Sequence, residues 1–218
     1  MGQAQNGGNR GRFISFEGGE GSGKSTQIRL LAEKLNGQGI EAILTREPGG
    51  SPGAEQIRAL LVLGETGRWD AMTEALLHTA ARRSHLAVTV WPALSQGRWV
   101  ISDRYADSTL AYQGHGHGLP VEDIRRLHRL ANENFWPDLT LILDVPVELG
   151  LERAGKRGGA EDRYERMGRD FHERLRQGFR AIAEAEPARC ALIDSSGDIE
   201  TTAWAIWKVA SIRLGLTK

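Results

Sequence analysis

Residues Gly18-Gly19-Glu20-Gly21-Ser22-Gly23-Lys24-Ser25 fit the pattern G-x-x-x-x-G-K-S/T, and nothing else in the chain restricts its fold as strongly. Glycines let a backbone wrap so that several N–H groups point at one anion, and a helix starting there adds the positive end of its dipole. The mechanism needs a strand before the loop and a helix after it. Phe13 to Phe16 is a short apolar run bounded by glycines, and Ile28, Leu31, Ala32 and Leu35 recur at helical spacing over Thr26 to Leu35. Gly18 through Thr26 are therefore expected to hold the phosphates of a nucleoside triphosphate. Lys24 would reach the outer phosphates and the Ser25 hydroxyl would bind magnesium.

The remaining pattern alternates. Further strands are predicted at Ala42–Leu44, Trp99–Ser102, Leu139–Val145 and Ala191–Ile193. Helices are predicted at about Ala54–Leu63, Ala71–Val90, Val121–Asn132, Phe171–Ala185 and Ile199–Leu214. The strands are apolar runs rather than alternating patterns, which argues a five-stranded parallel sheet covered by helices on both faces, an α/β fold. Residues 1–11 are Gly, Gln and Asn with few apolar groups and read as a disordered tail before a single domain over 12–218. Gln113 to Gly118 is Gly/His-rich and reads as a loop in which His115 and His117 are mobile. Arg153 to Arg169 is basic and Gly-rich, an excursion from the core with Gly155, Gly158 and Gly159 as sources of freedom.

Charge and cysteine content narrow the class. Lys plus Arg and Asp plus Glu are 28 each, without the basic excess of a general nucleic-acid binder. The single cysteine, Cys190, excludes a disulfide within the chain and a cysteine-based zinc site, and suits a reducing, cytoplasmic setting. The apolar run Leu139–Val145 falls far short of the roughly 20 residues that cross a bilayer, so no membrane partner is expected. A GTPase switch would carry an Asn-Lys-x-Asp guanine reader, which is absent.

Four more segments point one way. They are Thr45-Arg46-Glu47-Pro48-Gly49-Gly50, Val100-Ile101-Ser102-Asp103-Arg104-Tyr105, Ser108-Thr109-Leu110-Ala111-Tyr112-Gln113-Gly114 and Leu141-Ile142-Leu143-Asp144-Val145-Pro146. With the phosphate loop, this combination resembles the thymidylate kinase family from Phe13 to the last helix. The resemblance implies a three-layer P-loop kinase fold with a mobile lid at about 153–169. It also implies phosphorylation of dTMP to dTDP with ATP and Mg2+ for thymidine nucleotide synthesis, and a homodimer.

Carried over residue by residue, the resemblance implies that Asp103, Ser25 and Glu20 attend the metal. Arg104 would contact the acceptor phosphate, a dianion that a forked guanidinium grips at two points. Glu47, Pro48, Arg82, Thr109, Tyr112 and Gln113 would surround dTMP. None of the variable phosphate-loop positions is basic, so the lid must deliver the cation that stabilises the transferring group. Arg153, Arg157 and Arg163 are the candidates. Arg46 would pair with Glu47 or a core carboxylate.

One departure stands out. Where the family reads roughly Leu-Leu-Phe-Ala-Ala-Asp-Arg, this chain reads Leu76-Leu77-His78-Thr79-Ala80-Ala81-Arg82. His78 takes the place of a phenylalanine that stacks on thymine. An imidazole stacks with less area and carries a proton that titrates near neutrality. The expectation is that dTMP affinity weakens from pH 7.5 to 6 and that His78→Phe tightens it. A related acceptor such as deoxyuridine monophosphate, a deoxynucleoside, or a non-catalytic nucleotide sensor are the competing readings.

Overall fold

The structure is a computed structural model describing residues 10–157 and 163–216. Most of the expected tail, Gly158, Gly159 and the Arg157 side chain lie outside the described residues. Gly11 is buried with its N–H on Leu94 O at 3.2 Å, and Arg10 and Arg12 both pair with Asp138.

Five strands form one parallel sheet: β1 (Phe13–Glu17), β2 (Ala42–Arg46), β3 (Trp99–Asp103), β4 (Leu139–Asp144) and β5 (Cys190–Asp194). Their order is β2-β3-β1-β4-β5, with Ile14 opposite Ile101 on one side and Leu139 on the other. Every residue of β1 is buried: Phe13, Ile14 and Phe16 are apolar, while the Ser15 hydroxyl lies 3.0 Å from Thr140 Oγ1 of β4 and Glu17 ends the strand. Its side chains alternate between two layers. Ile14 and Phe16 join Ile28, Leu31 and Leu35 of α1 (Lys24–Asn36) and Ile206 of α9 (Ile199–Leu214). Phe13 joins the opposite layer with Leu86, Val90, Leu94 and Tyr105.

That opposite layer is built from α2 (Pro52–Val62), α3 (Ala71–His85), α4 (Trp91–Ser95), α5 (Ala106–Thr109), α6 (Val121–Asn132) and α8 (Arg169–Ala185), while α7 (Val147–Arg157) follows β4. Ser51 and Asp70 cap α2 and α3 by accepting the N–H of Ala54 and Thr73. All five strands end in a charged residue at the same edge: Glu17, Arg46, Asp103, Asp144 and Asp194. In an open parallel sheet that carboxyl edge is where ligands bind, at the point where strand order reverses. Here β1 and the phosphate loop sit at that point.

Two local expectations are corrected. The predicted helix Ala71–Val90 is interrupted and extended: a wider π-helical turn at Leu86–Val90 carries α3 into α4. The expected loop at Gln113–Gly118 is mostly helical, because a π-helical turn over Leu110–Gly116 continues α5. Its glycines serve close packing. A Cβ on Gly116 would meet the Phe171 ring at 2.6 Å, and one on Gly178 would meet His115 at 2.6 Å. His115 and His117 thus lie against α8, with the His117 ring 4.9 Å from Phe171.

Candidate active site

Strand β1 delivers the chain into the phosphate loop, and Gly21 shows why the loop needs glycine. Its φ is +64°, and a Cβ there would strike the Gly150 carbonyl. Gly23, also left-handed, opens α1 with no side chain capping the first turn, so the helix's leading N–H groups face the cavity. Lys24 Nζ spans the loop and donates to Gly18 O at 3.2 Å, Gly19 O at 2.9 Å and Ser22 Oγ at 3.2 Å. Burial and the nearby Arg104 charge lower the Lys24 ammonium to about 8.

The loop borders a cavity of about 630 Å3. Its walls carry Lys24, Arg29, Arg46, Arg58, Arg82 and Arg104 against Glu20, Glu47, Asp103 and Glu165, a basic balance suited to phosphates. At one end the Ser25 hydroxyl donates to Asp103 Oδ2 at 3.1 Å. Two hard oxygen donors meet there, the ligand type that suits magnesium. Among the described residues no three His, Cys, Asp or Glu side chains form a further metal cluster.

Arg104 stands at the centre. Its φ is +71°, uncommon for a residue with a Cβ, and several bonds hold it in that conformation. Its N–H donates to Phe16 O at 2.9 Å, Nη1 to Gly18 O at 2.9 Å, and Nη2 to Glu20 Oε1 at 2.9 Å. The guanidinium lies 5.0 Å from the Tyr112 ring centre, and the Tyr112 hydroxyl donates to the same Glu20 oxygen at 2.7 Å. Behind it, Glu17 accepts the Tyr105 N–H at 2.7 Å and the Ser108 hydroxyl at 2.5 Å. Burial and the charge of Asp107 raise that carboxyl to about 8.

The opposite wall comes from α3. Arg82 Nε donates to Glu47 Oε2 at 2.7 Å and Nη2 to Thr109 Oγ1 at 3.0 Å, all buried. His85 Nδ1 holds the other Glu47 oxygen at 2.8 Å. His78 lines the cavity with Nε2 3.3 Å from the Tyr164 hydroxyl, so it is no surface histidine. Burial, together with Arg82, Arg104 and Arg163, lowers His78 to about 3. An imidazole held neutral in this way argues against the expected pH dependence. Gln113 lines the cavity too. Its Nε2 donates to Glu74 Oε2 at 2.8 Å, and its buried Oε1 has no partner among the described residues.

Glu20, Ser22, Lys24, Ser25, Asp103, Arg104, Glu47, Pro48, His78, Arg82, Tyr112 and Gln113 are thus brought to one cavity. Of the candidate lid arginines, Arg153 and Arg163 are not. Arg153 directs Nη1 to Ser195 O at 2.8 Å and Nη2 to Ser196 O at 3.0 Å, in the loop after β5. Arg163 is 1% exposed and ion-paired to Glu74, with Nη1 on Leu61 O at 2.9 Å and Nε on Glu65 O at 3.0 Å. Both guanidiniums are held by protein groups away from the cavity, which corrects the expectation that they face a transferring phosphate. Arg46 pairs with Glu55 at 3.0 Å, not with Glu47. Sequence reasoning missed Arg58 in the cavity wall, where Nη1 donates to Pro48 O at 2.7 Å. Its signal was its position as the only basic residue of Pro52–Val62.

Residues 16–206 match the family model described as thymidylate kinase. A thymidylate kinase of Caulobacter vibrioides is 53% identical over 207 residues, spanning 95% of this chain and 99% of that relative. One from Afipia carboxidovorans is 52% identical over 207 residues, spanning 94% and 91%. The crystal structure of thymidylate kinase from Ehrlichia chaffeensis superposes with a TM-score of 0.73 at 36% identity, covering 92% of this chain and 98% of the other.

Proposed function

Because the chain belongs to the thymidylate kinase family and phosphorylates dTMP to dTDP with ATP, we propose a division of labour within its cavity. One observation carries it: a single cavity is bounded by the phosphate loop at one end, Arg104 in the middle, and His78, Arg82 and Gln113 at the other. ATP enters with its phosphates on Gly18–Thr26 and Lys24. The acceptor phosphate of dTMP sits on Arg104, and its base lies between His78 and Arg82.

Each role follows from donor and acceptor inventory. Arg104 presents a charged fork, and Glu20 orients it while relieving like-charge repulsion with Lys24. Tyr112 occupies the space beside the sugar, where it would crowd a 2′-hydroxyl. Thr109 orients Arg82 through its hydroxyl rather than reading the base. Gln113 Oε1 is an orphaned acceptor, and a buried unpaired acceptor costs about 1–3 kcal/mol. The N3–H of thymine is a donor of the right kind. Magnesium belongs with Ser25 and Asp103, and when bound it neutralises developing charge on the phosphates. Arg157, one turn beyond Arg153 on α7, is the lid cation assigned to the transferring group.

The same reading includes a cytoplasmic enzyme, where ATP and dTMP are found, and a homodimer. The exposed apolar side chains Leu76 and Val88, 49% and 58% exposed, support an interface along α3 and the turn after it. Light scattering of the purified protein tests the dimer.

The assignment of the pocket is tested by ADP release from Mg-ATP with dTMP, deoxyuridine monophosphate, uridine monophosphate, guanosine monophosphate and thymidine. Selectivity for dTMP with little response to uridine monophosphate is expected. Equal rates with uridine monophosphate would remove the role given to Tyr112.

A further inference from the structure

Gln113 can read a base only if its amide is held one way round, and its Nε2 donates to the buried Glu74 at 2.8 Å. We propose that Glu74 and Arg163 form a buried positioning pair that fixes the Gln113 amide and thereby sets the preference for a pyrimidine carrying an N3–H. The inference rests on the reading of Gln113 given above.

Glu74 on α3 and Arg163, beyond α7, are each 1% exposed, and they form an ion pair through Glu74 Oε1. The second carboxylate oxygen, Oε2, accepts Gln113 Nε2 at 2.8 Å and lies 3.3 Å from the Tyr164 hydroxyl. A carboxylate accepts and does not donate. Glu74 therefore admits only the NH2 end of Gln113, and the carbonyl end is left as the unpartnered Oε1. Without that constraint the amide turns over at little cost and presents a donor instead. With it, the site offers an acceptor to N3–H and opposes a cytosine, whose N3 is itself an acceptor.

Arg163 makes the arrangement tenable. A buried carboxylate needs a counter-charge and further hydrogen bonds to stay ionised. Arg163 supplies the charge and is itself held by the carbonyls of Leu61, in the last turn of α2, and of Glu65, in the turn after it. Both come from segments far apart in sequence, so the base reader is oriented through the segment following α7. Arg163 thus serves the acceptor side of the reaction rather than the transferring phosphate.

The test compares dTMP with 3-methyl-dTMP, which lacks the N3–H, and with deoxycytidine monophosphate. The variants are Glu74→Leu/Arg163→Met, which removes both buried charges together, and Gln113→Ala. Expected for the double variant is a loss of about ten-fold in the preference for dTMP over both analogues, with dTMP KM rising more than kcat falls. A wild-type preference in the double variant, or an equal loss with all three acceptors, would overturn the proposal. If the double variant does not fold, as judged by its thermal transition, Glu74→Gln, which keeps the side chain's packing and an acceptor for Arg163 but admits either end of the Gln113 amide, carries the same two outcomes. A wild-type preference in Gln113→Ala would instead sink the base-reading role of Gln113 itself. Loss there with retention in the Glu74 variants would sink only the positioning pair.

Discussion

Replacing Glu47 with leucine tests how the acceptor wall is held together. Glu47 and Arg82 are each 3% exposed and 2.7 Å apart, and His85, fully buried, donates to the other Glu47 oxygen at 2.8 Å. Removing one partner of a buried ion pair costs about 3–5 kcal/mol, because the remaining charge stays in a poor solvent without compensation. Arg82 keeps its bond to Thr109 and its approach to the Tyr105 ring at 5.1 Å, which moderates the loss. About 4 kcal/mol is the resulting expectation. In a domain of this length each kcal/mol lowers Tm by about 2–4 °C, so Glu47→Leu should melt roughly 8–16 °C below the parent protein. Glu47→Gln, which keeps an acceptor, should lose about half of that. Both variants should raise dTMP KM, since Arg82 loses its orientation. Burial alone would raise the Glu47 carboxyl, but Arg82 and His85 outweigh it and hold it below its ordinary value of 4.5. The stabilisation is therefore fully present above about 4.5 and is lost only as pH falls through the lowered value. The Tm difference between parent and Glu47→Leu should be constant from pH 6 to 8. A calorimetric difference under about 3 °C, or one that disappears between pH 8 and 6, would refute the reasoning.

Arg104→Ala should raise dTMP KM about ten-fold or more, the worth of a charge-assisted pair, with a smaller change in ATP KM; the reverse pattern would mean that the two substrates are assigned to the wrong ends of the cavity. His78 is neutral in the folded protein, lowered to about 3, so between pH 7.5 and 6 dTMP KM should follow only the second ionisation of the substrate's own phosphate and have the same profile in His78→Phe, and a KM that follows a further ionisation near 6.5 only when His78 is present would contradict this. The unfolded chain protonates that imidazole below about 6.5 while the folded one does not, so stability falls as pH drops below that value, by up to about 2 kcal/mol at pH 5. His78→Phe should remove that share of the acid sensitivity in urea titrations and tighten dTMP through added ring area. Chelation of magnesium should abolish turnover, and Asp103→Asn should raise the magnesium needed for half-maximal rate about ten-fold; an unshifted titration would take Asp103 out of the metal site.

What was legible in the sequence follows from range. The phosphate loop is eight contiguous residues whose function lies in backbone N–H groups, so its composition and its place between a strand and a helix suffice. The strands were also plain, because burial on both faces of the central strands favours mostly apolar runs, and the half-exposed edge strands β2 and β5 still carry short apolar stretches. The motifs ending β2 and β3 located Glu47, Asp103 and Arg104, since ligands gather at the carboxyl edge of such a sheet. The glycines after Tyr112 misled for a local reason. Glycine permits both a turn and a close approach, and only the presence of the Phe171 ring and of α8 distinguishes the two.

Long polar side chains were the other limit. An arginine reaches several ångströms in any direction, and a basic stretch does not say where each guanidinium points. Arg153 turned to the carbonyls after β5, and Arg163 crossed 89 residues of sequence to meet Glu74. The lowering of the His78 imidazole likewise depends on desolvation and on arginines brought in from α2, α3, the turn after β3 and the segment after α7. The local pattern of glycines and apolar runs by itself determined the sheet and the phosphate cradle, and the short motifs at the strand ends, taken with that loop, determined the family. Tertiary structure alone decided which charges are buried together, because pairing and desolvation depend on distances between segments that no stretch of sequence contains.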